Sequence, residues 1–156
     1  SVSSLSLNSG AHVAITIGGT GAGLFTQVKS SGSVTLGNAI AGLDLTVGYT
    51  PSVVAGNLAS SDHIYITLGS YASGTFSNTT SLFDPAYGQT FNYVTASNGS
   101  VWAVFYGANS SNGNLTGGND IALYAIPEPG TWAMLLSGFG VLLGLQRMRK
   151  NRVGTR

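Results

Sequence analysis

The sequence contains no cysteine and very few charged residues. Its 156 residues include six Lys and Arg and five Asp and Glu, so charged side chains make up only 7% of the chain. Without cysteine, the chain can form neither a disulfide framework nor a thiolate metal site. A small domain of this composition must therefore be held together by its hydrophobic core.

Positive charge is almost absent before residue 127. Residues 1–126 contain one lysine and four aspartates, which gives this part a net charge of −3; the residues are Lys29, Asp44, Asp62, Asp84 and Asp120. Proteins that bind nucleic acid need Lys and Arg to neutralise phosphates. The composition therefore excludes nucleic acid as a partner of residues 1–126.

Groups that could carry out catalysis are also scarce. An acid–base pair or a catalytic triad needs two or three ionisable groups in contact, and only two histidines accompany the lysine and the aspartates. His12 and His63 each fall on the polar side of an alternating pattern, which predicts histidines that face solvent. We therefore expect a protein that is not an enzyme and that needs no cofactor.

One loop has the composition of a weak calcium site. Residues 112–120 consist largely of Asn and Gly and end at Asp120. Calcium accepts carbonyl, amide and carboxylate oxygens as ligands. Because the loop offers a single carboxylate, a flexible loop without metal is the favoured interpretation, and Asp120 is the one candidate ligand.

Apolar residues recur with a period of two through residues 1–126. Val13, Ile15 and Ile17 alternate with polar or small neighbours, and comparable runs lie at residues 24–29, 34–36, 43–47, 64–68, 91–95, 101–106 and 121–125. This alternation predicts half-buried strands, except that 101–106 is apolar on both faces and predicts a central strand. Asn98-Gly99 predicts a hairpin. Residues 69–89 are predicted to be irregular, and residues 48–61 to form a loop with at most a short edge strand.

These strands predict a mainly β fold, an antiparallel β-sandwich of the jelly-roll kind, followed by one C-terminal hydrophobic helix. A β-solenoid is the alternative, since Gly-rich turns and short strands suit it, but no fixed repeat period is present. The glycine run at 18–23 is interpreted as a turn. A phosphate-binding loop would need a following Lys-Ser or Lys-Thr pair and a helix.

Aromatic residues on the predicted strands suggest a second possible function. Trp102, Tyr106 and Tyr93 carry flat rings that could stack on sugars. Aromatic residues on strands are first of all packing residues, so a role in the core is favoured. Two or three coplanar exposed rings on one sheet would distinguish a carbohydrate-binding module from a packed core.

The segment 127–156 differs from everything before it. Pro127, Glu128 and Pro129 precede an apolar run without charge, and five of the six Lys and Arg fall in the last ten positions. The run predicts a membrane helix at about 131–146. Its predicted membrane and interface residues are Trp132, Leu135, Leu136, Phe139, Val141, Leu142, Leu143 and Leu145, and the basic residues that stop transfer are Arg147, Arg149, Lys150 and Arg152. Because a basic flank stays cytoplasmic, residues 1–126 are expected outside the membrane.

This order of Pro-Glu-Pro, apolar helix and basic end resembles the PEP-CTERM sorting signal of Gram-negative bacteria. The resemblance divides the chain into an exported domain, 1–126, and a sorting signal, 127–156. It implies a temporary inner-membrane anchor that exosortase, a membrane-embedded cysteine transpeptidase-like enzyme, cuts near Pro127-Glu128-Pro129. The chain does not begin with Met or with a basic and apolar leader, so a secretory signal is expected to have been removed.

The resemblance also implies a destination at the cell surface or in the extracellular matrix. Members of the family are often glycosylated and associated with exopolysaccharide and biofilm. Two alternatives remain open for the β domain: a lectin-like module that binds carbohydrate, and a self-assembling matrix or filament subunit that retains its C-terminal helix. For homo-assembly, exposed edge strands are the relevant feature. For the tail, a permanent anchor without cleavage is the alternative.

Overall fold

A computed structural model describes residues 3–8, 10–38, 41–67, 71–84, 88–127, 137–142 and 146–147. In these residues the chain forms mainly β-strands. The strands are β1 (Leu5–Ser6), β2 (His12–Ile17), β3 (Val34–Asn38), β4 (Gly42–Val47), β5 (His63–Thr67), β6 (Tyr71–Thr75), β7 (Thr80–Asp84), β8 (Gln89–Thr95), β9 (Val101–Ala108) and β10 (Asp120–Ile126). A 3₁₀ turn spans Leu58–Ser60. Residues 137–142 and 146–147 are helical. The predicted mainly β class with a C-terminal helix is confirmed.

The largest sheet is antiparallel, with the strand order β5-β10-β9-β8-β7. Its interior strand β10 pairs with β5 on one side and β9 on the other and is buried at every residue. β9 lies beside it and is apolar towards both faces, as the run 101–106 predicts. The predicted hairpin at Asn98-Gly99 joins β8 to β9 and is closed by hydrogen bonds between Ala96 and both Ser100 and Gly99. We call these five strands the main sheet.

The other strands pair in parallel, unlike those of a purely antiparallel sandwich. β3 lies between β1 and β6, and β2 pairs with β4. Val28 adds a parallel bridge to Thr67 of β5. The paired strands between Leu5 and Thr75 therefore lie side by side and run in the same direction, as in the solenoid alternative. The chain between β3 and β6 is longer than the chain between β1 and β3, because it includes the loop between β4 and β5. Paired residues are therefore separated by unequal numbers of residues, and the sequence shows no fixed repeat.

The packing of the sheets is sandwich-like. Ile15, Ile17, Leu36 and Leu43 of the parallel strands belong to one buried cluster with Ile64, Trp102, Val104, Ile121 and Leu123 of the main sheet. A second cluster lies on the opposite face of the main sheet and contains Phe91, Val101, Ala103, Tyr124 and Ile126. Since successive strand residues point to opposite faces, β9 and β10 contribute to both clusters in turn.

Three segments differ from the sequence-based predictions. Residues 24–29 form no regular strand; Phe25 bridges Ile17 and Val28 bridges Thr67. The short edge strand considered for residues 48–61 is a loop with a 3₁₀ turn. The prediction of irregular structure at 69–89 is wrong, because β6 and β7 lie there. Neither strand alternates between buried and exposed residues, so hydrophobic periodicity could not reveal them.

The Asn78 side chain hydrogen-bonds to the backbone at the free edge of β4. Its amide nitrogen donates to the Leu43 carbonyl and its amide oxygen accepts from the Leu43 N–H, both at 2.8 Å. The Ser77 N–H donates to the Ala41 carbonyl beside it. A single side chain thus satisfies backbone groups that a neighbouring strand would otherwise pair with.

The parallel pairing of β3 with β6 can be tested at two glycines. Gly74 has φ +97°, and an added Cβ would lie 2.7 Å from the Gly37 carbonyl oxygen of β3, whereas Gly99 has φ +87° and no atom within 4 Å of an added Cβ. Both Gly→Ala substitutions incur the left-handed strain of about 1–2 kcal/mol. We expect Gly74→Ala to lower the free energy of unfolding clearly more than Gly99→Ala, measured by urea denaturation. Equal losses would contradict the close β3–β6 approach.

Candidate functional site

The sorting tail begins where the main sheet ends. Ile126 is the last residue of β10, is 4% exposed and pairs with Val101 of β9. Pro127 follows directly and is half-buried. Proline has no N–H to donate and fixes its own φ, so it is suited to end a central strand. The predicted sorting-motif residues Glu128 and Pro129 lie outside the described residues.

The described part of the tail is helical and apolar on its surface. Phe139, Val141 and Leu142 are 64%, 63% and 61% exposed, which is unfavourable in water for three large apolar side chains. Among the described residues, no helix has the length and apolarity needed to cross a membrane. Of the predicted span and its basic flank, Arg147 is also described and helical. Trp132, Leu135, Leu136, Leu143, Leu145, Arg149, Lys150 and Arg152 lie outside the described residues.

A row of rings crosses the second face of the main sheet. The His63 ring of β5 stacks on Tyr124 of β10 at 4.6 Å between centroids and 7° between planes. Tyr124 contacts Phe105 of β9 edge-on at 5.4 Å, and Phe105 contacts Phe91 of β8 at the same distance. We call these four residues, with Tyr65 beside His63, the aromatic row. Edge-to-face contacts of this kind stabilise a packed face.

The tyrosines of the aromatic row are in contact through their hydroxyls. The hydroxyl oxygens of Tyr65 and Tyr124 lie 3.5 Å apart. Burial, and then the neighbouring Tyr65, raise the pKa of Tyr124 above its ordinary range. The Tyr124 hydroxyl therefore stays protonated well above neutral pH, as suits a buried ring.

The rings predicted to stack on sugars occupy different positions. Trp102 is 0% exposed and its Nε1–H donates to Ser100 Oγ at 2.9 Å. A ring without exposed surface cannot stack on a ligand, so Trp102 has the favoured core position and not the sugar-stacking role considered as a possibility. Tyr106 and Tyr93 are both half-buried and pack against opposite clusters. The structure does not bring the three rings onto one face.

Tyr106 of β9 contacts the turn that follows β6 through its hydroxyl and its ring. Its hydroxyl accepts a hydrogen bond from the Phe76 N–H at 2.9 Å, and its ring contacts those of Tyr71 and Phe76. Burial raises the pKa of Tyr106 to about 12, although the bond from Phe76 acts in the opposite direction. The tyrosine is thus engaged in packing between the sheets.

The two histidines have different environments. His12 is 56% exposed, as predicted for the polar side of β2, and its Nδ1 lies 2.8 Å from Asp44 Oδ2 on β4. His63 does not face solvent as predicted: it is half-buried, stacks on Tyr124 and donates from Nδ1 to the Ser61 carbonyl at 3.1 Å. Asp62 and His63, with Ser61 and Thr20, line a small polar cavity of about 240 Å³.

Asp120, the predicted calcium candidate, closes the Asn- and Gly-rich loop. Its side chain is buried at 5% exposure, and Oδ2 accepts from the Ser110 N–H at 2.7 Å. Within the described residues, no three His, Cys, Asp or Glu side chains lie close enough to hold one metal ion. Calcium binding at Asp120 stays a prediction that is less favoured than a loop without metal. The hydrogen bond that Asp120 accepts from the Ser110 N–H is a structural contact.

The comparisons with known proteins concern the tail alone. Residues 125–150 match the family model of the PEP-CTERM protein-sorting motif. No curated protein and no solved structure matches the chain. The match begins at Ala125, inside β10, and covers the Pro-Glu-Pro segment, the apolar run and most of the basic end. The predicted recognition is confirmed: the chain carries the sorting signal of an exosortase substrate.

The buried hydroxyl of Tyr106 makes stability fall at alkaline pH. The unfolded tyrosine ionises near pH 10.0 and the folded one only near about 12, so its contribution is present below pH 10 and is lost as the pH rises between these values. We expect Tyr106→Phe to reduce this alkaline loss. At neutral pH it leaves the Phe76 N–H unpaired, which costs about 1–3 kcal/mol.

Both effects can be measured by urea denaturation at a series of pH values. The control is Tyr93→Phe, which removes a hydroxyl from the opposite face of the main sheet. An unchanged pH dependence in Tyr106→Phe, together with an unchanged stability at neutral pH, would show that this hydroxyl does not link the sheets.

Proposed function

We propose that this chain is an exported β protein without enzymatic activity that its PEP-CTERM signal holds briefly in the inner membrane. Exosortase then cuts near Pro127-Glu128-Pro129, and the β domain moves to the cell surface or into the extracellular matrix. The observation that carries the proposal is the sorting motif at residues 125–150, directly continuous with the last strand of the domain.

The end of β10 supports a cut beyond Ile126. An enzyme that cleaves a peptide bond needs access to the backbone on both sides of it, and β10 pairs with β9 along its whole length and with β5 from Ile121 to Tyr124. The Ala125 N–H donates to the Asp62 carbonyl, and Ile126 pairs with Val101. Among the described residues, the first backbone after β10 that is outside the main sheet therefore belongs to Pro127. A cut there leaves the central strand complete.

The partners of the histidines support a role without catalysis. The His12 imidazole is beside Asp44 on an exposed strand surface, and no third catalytic group is described with them. His63 is fixed between the Tyr124 ring and the Ser61 carbonyl. Both side chains thus have structural contacts that account for their positions.

We extend the proposal to association with exopolysaccharide in a biofilm matrix. The loop at residues 109–118 offers hydroxyls and amides on a mostly exposed surface, and such groups hydrogen-bond to sugars without net charge. Glycosylation of exposed hydroxyls belongs to the same proposal. A lectin-like site is less favoured, because the rings of the aromatic row meet largely edge-on, and the parallel rings of His63 and Tyr124 stack on each other.

The test is to change the motif and follow the protein through the cell. In a bacterium that has exosortase, we expect the wild-type β domain in the extracellular material, and the double variant Glu128→Ala/Pro129→Ala retained full-length in the membrane. Asn112→Ala, in the exposed loop, is the control and should be released like the wild type. Immunoblots with an antibody against the β domain give size and location together.

A second arm removes exosortase from the same strain. The proposal requires the wild-type chain to accumulate in the membrane at full length there. Release of the double variant at the wild-type level, or of the wild type without exosortase, would overturn the proposed sorting.

A further inference from the structure

The two edges of the main sheet are unlike each other. The β5 edge is covered, because the Val28 N–H donates to the Ile66 carbonyl at 2.7 Å and the Gln27 amide donates to the Tyr65 carbonyl at 3.0 Å. The β7 edge pairs with β8 on one side and with no described strand on the other. A row of backbone groups at such an edge is a template for another strand.

The β7 edge also exposes one apolar side chain on each face of the sheet. Leu82 is 42% exposed and Phe83 is 57% exposed, and these neighbours point to opposite faces of the sheet. Thr80 and Ser81 are exposed as well. Proteins commonly protect an edge with lysine, proline or a bulge. β7 contains no lysine or proline, and its five pairs with β8 run without a register shift.

We propose that β7 binds the β7 strand of a second copy of this chain in antiparallel pairing centred on Leu82. A two-fold axis then places Leu82 opposite Leu82 and Thr80 opposite Asp84, so that all five residues overlap. The two Asp84 side chains lie at opposite ends of the pairing and not across from each other. The two main sheets become one continuous sheet, and the same surface serves both partners, as in an isologous dimer.

Side-chain pairs favour this register. Leu82 gains an apolar partner directly across the strands, and each Phe83 lies opposite a small Ser81, which leaves room for its ring. Such cross-strand pairs are what stabilise antiparallel sheets.

The contact is expected to be weak. Stable protein interfaces bury about 1,200–2,000 Å², and an edge of five residues buries less. Confinement in a membrane or a matrix raises the local concentration of copies and makes a weak contact effective. The inference goes beyond sorting and does not depend on it, so either can fail alone.

The register can be tested by disulfide cross-linking of the full-length protein in detergent micelles. The chain has no cysteine of its own, and directly opposite residues of an antiparallel pair lie within reach of a disulfide. We expect Leu82→Cys to form covalent dimers several-fold faster than the control Leu24→Cys, which is 56% exposed in a loop away from β7. Equal rates, as would arise from contacts of the tails alone, would overturn the proposal.

A second pair of variants tests the same edge without a cross-link. Leu82→Lys places a charge at the centre of the proposed pairing, and Leu24→Lys places the same charge elsewhere. By analytical ultracentrifugation over a range of concentrations, we expect the wild type and Leu24→Lys to dimerise at high concentration and Leu82→Lys to remain monomeric. A monomeric wild type, or dimers of Leu82→Lys equal to those of the wild type, would contradict the β7 contact.

Discussion

The structure depends on the burial of β10 between two strands and two apolar clusters. Ile121 and Leu123 face the core between the sheets, and Ala122 and Tyr124 face the second cluster. Every residue of this strand is buried, so both faces of the main sheet are organised around it. Because β10 is also the last strand before the sorting motif, the motif follows directly on a fully buried strand.

This fold contains very few charged side chains. Cysteine is absent and charged residues make up 7% of the chain, so apolar burial and hydrogen bonds must supply the stability. Side chains such as Asn78, Tyr106 and Asp120 complete the backbone pairing where strands end, through bonds of 2.7 to 2.9 Å. The surface that remains is rich in hydroxyls and amides, and its exposed apolar side chains include two on the β7 edge.

Strands with one buried face could be predicted from the sequence, and strands without one could not. Val13, Ile15 and Ile17 revealed β2 by alternation, whereas β7 has no buried residue among Thr80–Phe83 to alternate with. Parallel pairing between β1, β3 and β6 depends on contacts far apart in sequence, which local patterns do not encode. For Trp102 the sequence favoured a core position without excluding an exposed one, because a ring on a strand has the same local pattern whether it faces the core or solvent. The tail was recognisable because its motif, apolar run and basic end stand in one continuous segment.

The most direct test of the central claim, a folded β domain with a removable tail, is the intact mass of the protein from the membrane and from the extracellular material of the same culture. The account predicts a membrane form that retains the apolar run and the basic residues after Pro129, and an extracellular form that ends after Ile126, near the Pro-Glu-Pro segment. Extracellular protein that still carries the basic residues, or that ends inside β10, would contradict it.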